Sequence, residues 1–165
     1  MQTKPREAFV DLCYEDVVVG DEVRTDAHTV TMEGILTFAD VTRDHHPLHT
    51  DEEYCKKTKF GRPIAHGLFG LSLIEGLKAE LKLYENTSVA SLGWDKVRFR
   101  APIYPGDTVH VRVIFDSKRE SKSGPHGIAV ERIEMINQDG DVVIDAEHAT
   151  MLYKRTSSPG AAAMA

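Results

Sequence analysis

Apolar residues change their spacing near the middle of the chain. In the first half the spacing is helical and interrupted. Over residues 32–41, Met32, Ile35, Leu36, Phe38 and Ala39 recur near helical spacing, with Thr31 placed as an N-cap, which predicts a short helix. Before it, residues 23–30 alternate enough for one short strand. Residues 44–49 (DHHPLH) are excluded from a regular helix, because Pro47 lacks an amide donor and biases His46 toward extended geometry. Thr50-Asp51-Glu52-Glu53 then fits a capping box, with Lys56 and Lys57 suited to the far end of the short helix it opens. The longest apolar helical stretch covers residues 67–82, with Leu68, Leu71, Ile74, Leu77 and Leu81 along one broad face. Gly67, Gly70 and Gly76 weaken it, by about 1 kcal/mol each against Ala for those in the interior, so it needs tight packing from other elements.

The second half supplies those elements. Residues 96–101 set Val97, Phe99 and Ala101 against Lys96, Arg98 and Arg100, the alternation of a half-buried strand. A turn at Tyr104-Pro105-Gly106-Asp107 leads to a strand over 108–116. A loop at 121–127 precedes a strand over 128–136, and a hairpin turn at Gln138-Asp139-Gly140 opens the last strand, 141–153. The expected fold is α+β, one long helix wrapped by a curved antiparallel sheet.

The length of 165 residues suits one domain, expected over 1–155, with the Pro/Gly/Ala-rich residues 156–165 as a disordered tail. Twenty basic against 26 acidic residues give a formal charge of −6, which argues against a nucleic-acid backbone binder. Lys4 and Arg6 are followed by no apolar run, so no secretory leader is expected. The most apolar stretch is too short to span a bilayer and contains Glu75. Cys13 and Cys55, with no CxxC, read as free thiols in a reducing compartment, and a cytoplasmic protein is expected.

Chemistry concentrates between Asp44 and Gly67. Four of the eight histidines fall between His45 and His66. Asp44, His45, His46 and His49 allow three readings: a carboxylate–imidazole pair sharing a water, a metal set, or a polar loop that caps the next helix. Pro47 breaks the register that puts metal ligands on one helix face, which weakens the second. The segment Phe60-Gly61-Arg62-Pro63-Ile64-Ala65-His66-Gly67 delivers a glycine to the start of the long helix. There, free amides and the positive dipole end could receive a ligand oxygen, or the glycine could serve packing alone.

These segments, with Phe38-Ala39-Asp40 ahead of them, resemble the MaoC-like, hydratase 2 family of (R)-specific enoyl-CoA hydratases, which have the hotdog fold. The family carries Asp-x-Asn-Pro-(Leu/Ile)-His followed by an Ala-His-Gly lead-in to its central helix. Val97-Arg98-Phe99-Arg100-Ala101-Pro102-Ile103-Tyr104-Pro105-Gly106-Asp107 also looks like the family's strand-turn-strand, and the likeness runs from about Tyr14 to Tyr153. The resemblance implies Asp44 and His49 as the catalytic pair and Gly67 as backbone donor to a thioester carbonyl. The reaction implied is reversible hydration of a trans-2-enoyl thioester, with no metal and no redox cofactor. His46 stands where the family has Asn, a bulkier side chain with fewer hydrogen-bonding options.

His46, His66, Glu75, Arg98 and Arg100 are the candidate substrate-binding residues. Glu75 could line the acyl pocket or lie in solvent or at an interface, and His66 could hold the Gly67 turn or fill the core. Arg98 and Arg100, with Lys96, Lys59 and Arg62, could form a rim for CoA phosphates or a solvated basic face. Trp94 and Tyr104 could pack on an adenine, but read first as core or interface residues. A partner acyl-CoA or acyl-carrier-protein thioester is expected, without nucleic acid or membrane. So is a homodimer, or a higher oligomer of dimers, formed by edge-to-edge pairing of sheets. The rivals are an acyl-carrier-protein dehydratase, a hotdog thioesterase and a hotdog acyl-thioester binding module without turnover.

Overall fold

The computed structural model describes residues 9–122 and 124–158. Two short strands, β1 (Glu22–Arg24) and β2 (His28–Thr29), stand where one strand was expected. Both pair with β4 (Thr108–Glu120). Between them Thr25 stays tied to β4, its amide donating to the Val111 carbonyl at 3.0 Å and its hydroxyl accepting from the Val111 amide at 2.9 Å.

Helix α1 (Met32–Thr42) begins as its sequence predicts, with the Thr31 hydroxyl accepting from the Gly34 amide at 3.0 Å. It ends at Arg43, whose left-handed φ of 65° turns the chain sharply into Asp44. Pro47 opens a helix instead of breaking one: α2 (Pro47–Thr50) places it in the first turn, where a missing amide costs nothing. The expected capping box is displaced by one residue. Asp51, not Thr50, caps α3 (Glu52–Cys55), accepting from the Tyr54 amide at 2.9 Å. Lys56 pairs with Glu53 at 2.6 Å at the far end.

The long helix α4 (Gly67–Glu80) matches its pattern closely, with Ile74 and Leu77 buried and Leu81 just beyond its end. Leu68 departs from the expected apolar face and is 62% exposed. Gly70 has a packing role: a Cβ there would overlap Ile144 Cδ1, so its absence brings the helix backbone onto the sheet.

The strands β3 (Ser88–Phe99), β5 (His126–Ile136) and β6 (Val142–Tyr153) complete one antiparallel sheet of six strands, with path β1-β4-β5-β6-β3 and β2 also against β4. Val109, Val111, Val113 and Phe115 of β4, and Ile133 and Met135 of β5, lie in one core with Ile74 and Leu77 of α4. The helix is wrapped as expected.

Strand β3 is longer than its sequence suggests and begins eight residues earlier. Register shifts between Ser88 and Ala90, Ser91 and Gly93, and Asp95 and Arg98 reset its alternation each time. The last shift overturns the inward assignment of Phe99, which is 53% exposed. Beyond β6, Arg155–Ser157 forms a single 3-10 turn where the tail was expected to start. The rest of that expected tail, from residue 159, and residues 1–8, where no leader is expected, lie outside the described residues.

Candidate active site

A cavity of about 610 Å³ opens at the N-terminal end of α4. Phe38, Ile64, Phe99, Ile103 and Ile144 give it apolar walls, while Asp44, His49, His66 and Gly67 lie at its polar end. The size and the mix of many apolar with few converging polar groups are those of a small-molecule site.

Each polar group is placed by a different element. The left-handed Arg43 delivers Asp44, and one Asp44 carboxylate oxygen accepts from the His46 amide at 3.3 Å. His49 comes from α2. Its Nδ1 lies 2.7 Å from the Ile64 carbonyl, which can only accept, so Nδ1 carries the proton and Nε2 keeps its lone pair. Burial pushes the His49 pKa below the ordinary imidazole value; the Ile64 hydrogen bond opposes this in part and His66 adds to it. His66 N-caps α4 without a side-chain capping bond. Its Nε2 instead donates to the Asp44 carbonyl at 2.9 Å.

One side-chain N or O atom each of Asp44, His49 and His66 lies within 4.8 Å of the others. A span of that size accommodates one water hydrogen-bonded to two of them at once. It is also the footprint of a three-ligand metal set. The His49 and His66 rings stack with centroids 3.8 Å apart and planes 30° apart. One nitrogen of each ring is already engaged, His49 Nδ1 with the Ile64 carbonyl and His66 Nε2 with the Asp44 carbonyl.

Gly67 opens the helix. A Cβ there would lie 2.7 Å from the Phe99 ring tip, so glycine lets Phe99 close over the first turn. The first amides of a helix have no acceptor within it and face the positive end of the dipole, which suits an oxygen acquiring negative charge.

The remaining expected residues separate. His46 does not line the cavity: its Nδ1 accepts from the Leu48 amide at 3.1 Å and caps α2. An Asn carboxamide would do the same, which explains in physical terms how His can stand there. Arg100 lines the cavity with its charge already met, Nε donating to Asp145 Oδ1 at 2.5 Å and the guanidinium also reaching Oδ2 at 3.1 Å. Arg98 is exposed outside the cavity and donates to the neighbouring Val97 carbonyl. Lys96 pairs with Glu147. Of the expected basic rim, Lys59 borders the cavity over the Phe60 ring, and Arg62 stacks on Tyr104 at 4.1 Å.

Glu75 lies elsewhere. It borders a second cleft of about 440 Å³ toward the other end of α4, 3.3 Å from His148 and 3.8 Å from Lys78. Lys78 is 6% exposed and pairs at 2.6 Å with Glu131, which is fully buried. The Tyr84 hydroxyl donates to the same carboxylate at 2.7 Å, and Trp94 stacks on His148 at 4.4 Å. This cluster was not anticipated. Its signal is present in the alternation: His148 and Thr150 fall in phase with Ile144, Ala146 and Leu152, and Glu131 with Ala129 and Ile133.

Comparison with known proteins adds a family to this geometry. Residues 16–135 match the MaoC like domain. The protein MaoC of Klebsiella aerogenes is 32% identical over 100 residues, 61% of this chain, and the chain spans only 29% of that protein's length. An (R)-specific enoyl-CoA hydratase of Aeromonas caviae is 31% identical over 118 residues, covering 72% of this chain and 83% of the hydratase. A monoamine oxidase regulatory protein from Archaeoglobus fulgius superposes with a TM-score of 0.83 at 33% identity, over 89% of this chain and 97% of that one. A Mycobacterium tuberculosis protein described as a double hotdog fold matches with a TM-score of 0.76 at 22% identity, over 90% of this chain and 45% of its own, a likeness of fold alone.

Proposed function

The chain belongs to the MaoC-like dehydratase family and has its hotdog fold, and on that premise we propose that it catalyses reversible (R)-specific hydration of a trans-2-enoyl thioester. The observation that carries the reading is the convergence of Asp44 and His49 beside the start of α4, within one apolar cavity. The Aeromonas relative, named as such a hydratase, supports it.

The chemistry follows from the hydrogen-bond inventory. The Asp44 carboxylate accepts, and so does His49 Nε2, because Nδ1 is held by Ile64. A water donating one hydrogen to each turns its oxygen lone pairs into the cavity. Attack on C3 of the enoyl group forms the C–O bond and pushes the double-bond electrons onto the thioester oxygen. The Gly67 amide receives that oxygen as it becomes an enolate; such a donor is worth about 3 kcal/mol of barrier. One water proton passes to the pair and a proton returns from it to C2, so no proton is gained or lost overall. Dehydration runs the same steps backwards. No metal or redox step is needed.

Phe38, Ile103 and Ile144 would enclose the acyl chain, and Lys59 would meet the carrier's phosphates at the rim, whether CoA or acyl-carrier protein. Among the described residues no helix is long and apolar enough to cross a membrane. A cytoplasmic setting and a homodimer joined along β3 belong to the same proposal.

Crotonyl-CoA tests it. The purified protein should consume the enoyl absorbance without releasing thiol, at a rate that chelators leave unchanged. Asp44→Asn and His49→Ala should each abolish turnover, by at least about 100-fold, with folding intact. Release of free thiol would instead make the protein a thioesterase, and near wild-type rates in both variants would show the pair misassigned.

A further inference from the structure

The proposed pair and the proposed oxyanion donor sit on three separate elements: Asp44 after α1, His49 in α2 and Gly67 at the start of α4. Nothing in the local chain forces them into register. The hydrogen bonds that hold Asp44 locally are long, 3.4 Å from its amide to Thr42 Oγ1 and 3.3 Å from the His46 amide to its carboxylate. Among the described residues, the hydrogen bond tying Asp44 to an element distant in sequence is the one from His66 Nε2, 22 residues away and 2.9 Å long.

His66 is an unusual choice for this position if stability alone decides. It is 3% exposed. As the N-cap it could use a side-chain acceptor to satisfy the helix amides, and it does not. Its Nδ1 is buried with no partner among the described residues, a net cost that an apolar ring of the same size would avoid. What the ring does achieve is contact with every part of the site. It is covalently next to Gly67, donates to the Asp44 backbone, stacks on His49 at 3.8 Å and packs against Phe38 at 5.2 Å.

We propose that His66 is a positioning residue: its imidazole locks the Asp44 backbone and the His49 ring to the first turn of α4, so that carboxylate, base and backbone amide act on one substrate. This rests on the catalytic reading of Asp44 and His49 given above. His66 need not touch substrate, and its contribution lies in the geometry it imposes on the groups that do. Misplacement of reacting groups by about 1 Å costs up to about 100-fold in rate, while substrate binding, spread over the apolar walls, changes little.

Two substitutions separate this role from simple core filling. His66→Phe keeps an aromatic ring against His49 and removes the donor. His66→Gln gives up the ring and returns a side-chain N–H at a similar reach. With crotonyl-CoA, His66→Phe should lower kcat by about 10- to 100-fold with KM within about twofold and an unchanged melting temperature. His66→Gln should recover most of kcat. In parallel, hydrogen–deuterium exchange of residues 43–49 should quicken in His66→Phe and return toward wild type in His66→Gln. Wild-type kcat and exchange in His66→Phe would overturn the proposal, as would a change confined to KM. Should the wild-type protein show no turnover of crotonyl-CoA, the reaction assignment falls, and the exchange comparison alone decides whether His66 tethers the loop.

Discussion

His49 lies at a half-buried position, and burial disfavours its charged form most, ahead of the opposing Ile64 hydrogen bond and the adverse proximity of His66. Its folded-state pKa therefore falls below the ordinary imidazole value of 6.5. A base must be unprotonated to accept a proton, so kcat/KM for hydration should hold as the pH falls through 6.5 and decline only below it. A pH–rate profile in the absence of bound substrate analogues checks this, and an acid limb above pH 6.5 would contradict it. The sign for stability is the same. Between 6.5 and the lowered value the unfolded chain takes up a proton that the folded chain refuses, so this contribution is lost as the pH falls through that window. His46 shows the opposite relation of residue to site: it sits among the motif residues, yet its nitrogen is used to begin α2.

Helix α4 carries two kinds of polar chemistry at its two ends. The first turn borders the cavity. The other end buries Lys78 against Glu131, with Tyr84 and His148 around them. Burial by itself would raise the Glu131 pKa, but the Lys78 ammonium, with His148 and the Tyr84 hydroxyl, more than offsets it and holds the carboxylate below its usual range. Burial, and then the adjacent Glu131 charge, push the Tyr84 hydroxyl the other way, well above its ordinary value. A buried pair of this kind adds little over an apolar replacement of both partners, but loss of one partner leaves a charge without compensation. Lys78→Met should therefore destabilise the fold by about 3–5 kcal/mol, measured by urea denaturation. Adding Glu131→Leu should restore much of the loss. A Lys78→Met protein as stable as wild type would show the charges to be uncoupled.

At the scale of the whole molecule, the sheet ends on β3, a strand of 12 residues that pairs only with β6 among the described strands. Long free edges invite pairing with another chain, and Leu92 on this strand is 44% exposed. Phe99 and Leu68 are both exposed at the cavity. The proposed homodimer should appear in sedimentation velocity at micromolar concentration. Leu92→Lys should shift it toward monomer and lower the turnover of crotonyl-CoA. A wild-type monomer with full activity would remove the dimer from the proposal.

The order of elements was legible in the chain because helix and strand each impose a local period on which residues are buried. That is why residues 67–82 announced α4 and why the meander from 108 onward was read with its turns. The same logic failed over residues 88–95, because the bulges at Gly93 and Lys96 reset the alternation and an edge strand has little burial to display. Asp44, His49 and Gly67 stood out as a motif, and folding brought them to one cavity. Tertiary structure alone decided that His66 reaches back to Asp44, that His46 becomes a cap, that Asp145 occupies Arg100, and that Glu75 joins Lys78, His148 and Glu131 at a separate cleft. Those contacts join residues 22 to 73 positions apart, or hinge on a rotamer choice, and strand register and helix packing set them where no local period can.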